Sequence, residues 1–111
     1  MEYLSFSETP RFARNAEEVL DDDALANLQL HICFLPETGK LVVGSGGIRK
    51  MRWTDGSRGK RGGLRVIYYY ALTNGRVLLL DIYRKSEKAD LSKDEIKELR
   101  SSVEIWLKDN E

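Results

Sequence analysis

The hydrophobic period of this chain changes twice, and that change limits its fold more than any single residue does. Before Gly39 the apolar residues recur three and four apart. Between residues 40 and 84 they come in short runs rich in β-branched and aromatic side chains, and after Ser92 the helical spacing returns. A period of 3.6 buries one stripe of a helix and a period of 2 buries one face of a strand, so the order is helix, helix, meander, helix.

Local signals place the boundaries. Residues 3–6 read as a short first strand. Thr9-Pro10 reads as a helix start, with Thr9 as the cap and Pro10 at the first helical position, and Phe12, Ala16, Val19 and Leu20 fall on one side of that helix. Asp21-Asp22-Asp23 caps a second helix and meets its positive end; Leu25, Leu28, Ile32 and Leu35 form its stripe until Pro36 and Gly39 stop it. Strands are expected at 40–43, 48–54, 64–72 and 76–84, with Thr73-Asn74-Gly75 as a tight hairpin turn. Ser92 and Glu95 form a capping-box pattern ahead of Ile96, Leu99, Val103, Trp106 and Leu107. The expected fold is α+β: two N-terminal helices and a C-terminal helix packed on an antiparallel β-sheet, in one domain spanning residues 1–111.

Several function classes are excluded early. No apolar stretch approaches the ~18 residues of a membrane span, and Met1-Glu2-Tyr3-Leu4-Ser5 lacks the basic, then apolar, start of a secretory signal, so a cytoplasmic protein without membrane contact is expected. One cysteine cannot form an internal disulfide, and one cysteine with one histidine cannot build a zinc site. No metal or cofactor is expected. Cys33 reads as a small core residue, Trp53 and Trp106 as core anchors, and His31 as a structural or surface residue of the second helix, away from the basic strands.

Formal net charge is zero, but the charges are segregated. Residues 40–88 hold twelve Lys/Arg against three Asp/Glu, a net of +9, and the rest of the chain carries −9. A focused basic region is the electrostatic footprint of a polyanion partner, while an acidic flank also suits a basic protein. Strand alternation sharpens this. Lys50 and Arg52 share a face opposite Met51 and Trp53; Arg65, Ile67 and Tyr69 share one opposite Leu64, Val66, Tyr68 and Tyr70; Asp81, Tyr83 and Lys85 share one opposite Leu78, Leu80 and Ile82. One sheet face can then lie under helices while the other gathers Lys50, Arg52, Arg65, Tyr69, Tyr83 and Lys85. Cations interleaved with aromatic rings suit RNA, charge for phosphates and ring faces for unstacked bases; the competing interpretation is a solvated face with Lys/Arg stems lying over exposed rings. The glycine-rich stretch 55–63 carries Arg58, Lys60 and Arg61 without P-loop spacing, and Gly44-Ser45-Gly46-Gly47 does not match a dinucleotide fingerprint.

Three strings bring in a family. Gly46-Gly47-Ile48-Arg49-Lys50-Met51-Arg52, then Arg58-Gly59-Lys60-Arg61-Gly62-Gly63-Leu64-Arg65-Val66-Ile67-Tyr68-Tyr69, then Leu79-Leu80-Asp81-Ile82-Tyr83-Arg84-Lys85-Ser86-Glu87-Lys88-Ala89-Asp90-Leu91, in this order and spacing, resemble the RelE/HigB toxins. The resemblance implies the toxin of a type II toxin–antitoxin pair, a metal-independent endoribonuclease that cuts translated mRNA in the ribosomal A site by 2′-OH attack on the adjacent phosphate. It implies as partners the ribosome and mRNA, a cognate helix-turn-helix antitoxin and, through that antitoxin, operator DNA. Carried over by position, Lys50, Arg52, Arg65 and Lys85, with Tyr83 added as a candidate proton-transfer group, form the catalytic set. Arg49, Arg58, Lys60, Arg61, Tyr69, Arg84 and Lys88 are the RNA-contacting set. The chemistry needs a proton acceptor, a proton donor and positive charge around the phosphate, and a guanidinium suits the last role. The chain departs from the family where several members place a tyrosine or histidine near the last helix; here Asp90-Leu91-Ser92 stands instead. That leaves Lys50, Tyr83 and Glu87 as candidate bases, and leaves open a non-catalytic RNA-binding or antitoxin-binding module on the same fold.

Overall fold

A computed structural model describes residues 4–54 and 63–109. Each helix begins where a side chain satisfies its free N–H groups. Thr9 Oγ1 accepts from the Phe12 amide at 3.0 Å and Pro10 takes the first position of α1 (Pro10–Val19). The same hydroxyl donates to the Leu80 carbonyl at 2.8 Å, so the cap also joins helix to sheet. Asp21 accepts from the Ala24 amide at 2.7 Å and starts α2 (Asp22–Phe34). Ser92 Oγ accepts from the Glu95 amide at 3.1 Å while Glu95 Oε1 accepts from the Ser92 amide at 3.0 Å, a complete capping box ahead of α3 (Lys93–Asp109).

The strands β1 (Ser5–Glu8), β2 (Lys40–Leu41), β3 (Ile48–Trp53), β4 (Leu64–Ala71) and β5 (Arg76–Arg84) form one sheet in the order β1-β5-β4-β3-β2. From β2 to β5 the pairing is antiparallel, and Gly75 with φ 66° closes the β4–β5 hairpin. Two strands differ from the sequence expectation. The first lies at 5–8 rather than 3–6 and pairs parallel to β5, making the sheet mixed. The strand expected at 40–43 stops at Leu41, because Ser45 Oγ donates to the Val42 carbonyl at 2.6 Å and accepts from the Ile48 amide at 3.0 Å, turning the chain there.

The three helices cover both faces of the sheet. Phe12 and Ala16 of α1 and Leu28 and Ile32 of α2 bury against Met51, Val66, Tyr68, Val77, Leu79 and Ile82. On the opposite face Leu99 and Val103 of α3 bury against Ile48, Ile67, Leu78, Leu80 and Tyr83. The even alternation expected along β5 fails at one place: the register slips between Ile67 and Tyr68, which pair with Asp81 and Leu79 and leave Leu80 unmatched. Ile82 therefore joins the α1/α2 core while Leu78 and Leu80 join the α3 core, rather than all three sharing a face. Cys33 is exposed, not a core residue, and Leu35 is exposed as well, because only the Leu28–Ile32 edge of α2 meets the sheet.

Tyr68 links the core to the strand entry. Its hydroxyl accepts from the Gly39 amide at 2.9 Å and donates to the Pro36 carbonyl at 2.9 Å. A Cβ at Gly39 would meet that hydroxyl and Arg49 Cβ at 3.0 Å, so the close approach requires glycine.

Candidate active site

The α3-covered face of the sheet is divided along its length. At one end lie the apolar residues under Leu99 and Val103; at the other the same strand faces carry cations. Cross-strand register sets Arg52 opposite Arg65 and Arg65 opposite Tyr83, with Lys50 opposite Ile67. Lys50, Arg52 and Arg65 line one open cleft of about 690 Å³ together with Lys85, which follows β5, Lys40 of β2 and His31 of α2. The four side chains expected to converge, Lys50, Arg52, Arg65 and Lys85, therefore share one cleft.

The shortness of β2 shapes that cleft. β2 pairs only with Arg49 and Lys50, so the stretch Met51, Arg52, Trp53 of β3 has no strand on its outer side among the described residues. The last turns of α2 look onto this edge, and the His31 ring packs on Trp53 with centroids 5.0 Å apart at 54°. His31 is thus at the basic strands rather than away from them. Trp53 is half-buried against the α1/α2 core, as an anchor should be.

Arg65 is 8% exposed, and its Nη1 donates to the Leu64 carbonyl at 3.1 Å. A guanidinium fixed in this way is a preorganised positive charge. Lys50 Nζ donates to Asp90 Oδ1 at 2.9 Å, and this bond, with a second from the Leu91 amide, holds the Asp90 carboxyl below its ordinary range. The segment bearing Lys85 is tied down at its start, where the Lys85 amide donates to the Gly63 carbonyl at 3.0 Å.

The other expected site residues lie elsewhere. Tyr83 is buried beneath the Lys88 ammonium, which sits 4.6 Å from its ring centroid. Burial, reinforced by Asp90, Asp81 and Glu95 against the opposing Arg65, pushes its phenol up to about 12, so it stays protonated at neutral pH. Tyr69 packs edge-on against Trp106 at 6.3 Å under α3, because that helix covers the face on which the ring was expected to be open. Arg49 turns to Glu37 and to the Glu37 and Gly39 carbonyls. Arg84 lies 4.0 Å from Glu87. Arg58, Lys60 and Arg61 lie outside the described residues. Among the described residues no group of three His, Cys, Asp or Glu side chains is placed to hold a metal ion, and no helix is long and apolar enough to cross a membrane.

Lys88 belongs to an ionic cluster behind the cleft. Its Nζ lies 2.6 Å from Glu95 Oε2 and 3.9 Å from the buried Asp81 Oδ2; Arg11 reaches the same two carboxylates at 2.7 and 3.2 Å. Asn15 donates to Asp81 Oδ1 at 2.9 Å. The cluster ties α1, β5, the segment after it and α3 together, and so positions the wall that carries Lys85. The Lys88 bond first, then the Ser92 amide and Arg11, outweigh partial burial and bring Glu95 down to about 2. A carboxylate depressed from 4.5 in this way stabilises the fold above the unfolded value and loses that contribution as pH falls from about 4.5 to about 2. Glu95→Gln is expected to lower stability at pH 7 by about 1–2 kcal/mol, allowing for solvent screening, with the difference from wild type vanishing near pH 2. Denaturant melts of both proteins across that range check it, and a pH-independent gap would contradict it.

Helices on both faces of a five-stranded, mostly antiparallel sheet, in this order, make up the RelE-like class of α+β fold. Among solved structures the chain is similar to a double arginine-to-alanine mutant of the E. coli toxin RelE in the free state, with a TM-score of 0.54 at 14% sequence identity, over 80% of this chain and 90% of that one. No family model matches the chain.

Sequence reasoning missed His31, Lys40 and Asp90 as neighbours of the site. Helical spacing held the one usable signal for His31: it lies three residues after buried Leu28 and one before buried Ile32, at the margin of the stripe that meets the sheet.

Proposed function

We propose that the protein is the toxin of a toxin–antitoxin pair, a metal-independent endoribonuclease that cuts mRNA on the ribosome. The observation that carries this reading is the convergence of Lys50, Arg52, Arg65 and Lys85 on one cleft. The fold likeness to a toxin and the resemblance of the strand sequences support it. In this scheme an RNA 2′-oxygen attacks the adjacent phosphorus, the bond to the 5′-oxygen breaks, and the products end in a 2′,3′-cyclic phosphate and a 5′-hydroxyl. Arg65 holds the phosphate oxygens as negative charge gathers on them, and the lysines neutralise the flanking backbone. The partners are the ribosome, its mRNA and a cognate antitoxin, and the protein acts in the cytoplasm.

A second reading, binding without cleavage, draws on the Lys50–Asp90 ion pair, which occupies one of the four cations in the free protein. Incubating the purified protein with a short mRNA, with and without ribosomes and in the presence of EDTA, separates the two. The nuclease is expected to yield ribosome-dependent fragments bearing a cyclic phosphate, and a 2′-deoxy substitution at the cut should block them. An intact message, together with normal growth of bacteria expressing the protein, would leave only the binding module.

A further inference from the structure

We infer that His31 is the catalytic base of this cleft, an inference that rests on the endoribonuclease reading. Attack by a 2′-hydroxyl requires a group that takes its proton at neutral pH. The charged side chains lining the cleft beside His31 are Lys40 from β2, Lys50 and Arg52 from β3, Arg65 from β4 and Lys85 from the segment after β5, and Lys50, the candidate base among them, is held in an ion pair with Asp90 at 2.9 Å. The remaining lining residues, Thr38, Met51 and Ala89, are not bases. Imidazole is the side chain whose ordinary range spans neutrality, and this chain has one, on the cleft wall.

The other candidates are placed for different work. Tyr83 is buried and held as the neutral phenol. Glu87 faces Arg84 outside the cleft. Asp90 is engaged by Lys50 at 2.9 Å. His31 is half-exposed, so substrate can reach it, and Trp53 restrains its ring. The step balances without water. The 2′-OH proton passes to the His31 imidazole as the 2′-oxygen–phosphorus bond forms. The leaving 5′-oxygen takes a proton from an ammonium group of the cleft, Lys50 or Lys85, and solvent then returns each side chain to its starting state.

Single-turnover cleavage of ribosome-bound mRNA tests this. His31→Gln is expected to cut at least about 100-fold more slowly than wild type and to lose the acid limb of the pH–rate profile, at an unchanged melting temperature. Added imidazole is expected to restore cleavage by His31→Ala, which a purely structural histidine would not permit. If either variant fails to fold, the wild-type protein serves: diethyl pyrocarbonate acting on its one histidine should stop cleavage, and hydroxylamine should restore it. Wild-type rates in a folded His31→Gln with an intact acid limb, or insensitivity of the wild-type protein to the reagent, would overturn the assignment while leaving the nuclease reading in place; Asp90→Asn losing that limb instead would move the role to Asp90. A wild-type protein that cuts no message on the ribosome would take down both.

Discussion

Arg65→Ala is expected to lower ribosome-dependent mRNA cleavage by about 10²–10³-fold and to end growth arrest on expression, while the protein still folds. The size of the effect follows from placement. Arg65 sits in the middle strand of the cationic end of the sheet, between Arg52 on one neighbour and Tyr83 on the other, and is mostly shielded from water. A guanidinium held there does not reorganise when charge develops on a phosphate, and water entering the gap would be a poorer substitute. Arg65→Lys keeps the charge but loses the two-pronged geometry, so it should recover only part of the rate. Full toxicity in a stable Arg65→Ala protein would remove the phosphate-holding role from this residue.

The largest expected loss of stability comes from the other side of the sheet. Phe12 is fully buried on α1, at the position where the Thr9 cap fixes the helix against β5. Phe12→Ala removes a ring from between α1, α2 and the sheet and leaves a cavity; a cost of about 3–5 kcal/mol is expected, a large share of the stability of a domain this size. Melting should fall by on the order of 10–20 °C in thermal scans. A shift of a few degrees would mean that α1 and α2 close over the gap. The two substitutions separate chemistry from folding, since one should spare the melting curve and the other should spare the composition of the cleft.

What the sequence shows of this protein divides by range. Thr9, Asp21 and Ser92–Glu95 act within one helical turn, and Asn74-Gly75 within one hairpin, so the ends of the helices and the β4–β5 turn are legible from residue types alone. Side-chain alternation on β3 and β4 also holds, which is why Lys50, Arg52 and Arg65 could be grouped. The unread parts depend on distant segments. The parallel pairing of β1 joins strands some seventy residues apart, the unmatched Leu80 reverses the facing of the β5 residues beyond it, and α3 covers the face on which Tyr69 was expected to be free. Lys88 looked like one more cation of a basic run, yet Glu95 and Asp81 draw it behind the cleft. His31 reads as remote from the basic strands because helix spacing says which stripe is buried, and not which sheet edge the neighbouring stripe will overlook.

The order in which these parts leave a ribosome has its own consequence. β1 and α1 are made before the segments they meet: β1 finds its hydrogen-bonding edge on β5, and Arg11 meets its countercharge on Glu95 of α3. Contacts so far apart along the chain form late. A growing polypeptide therefore emerges as separate pieces, and the cleft that gathers Lys50, Arg52, Arg65 and Lys85 can close only after β5 and the segment following it have left the ribosome.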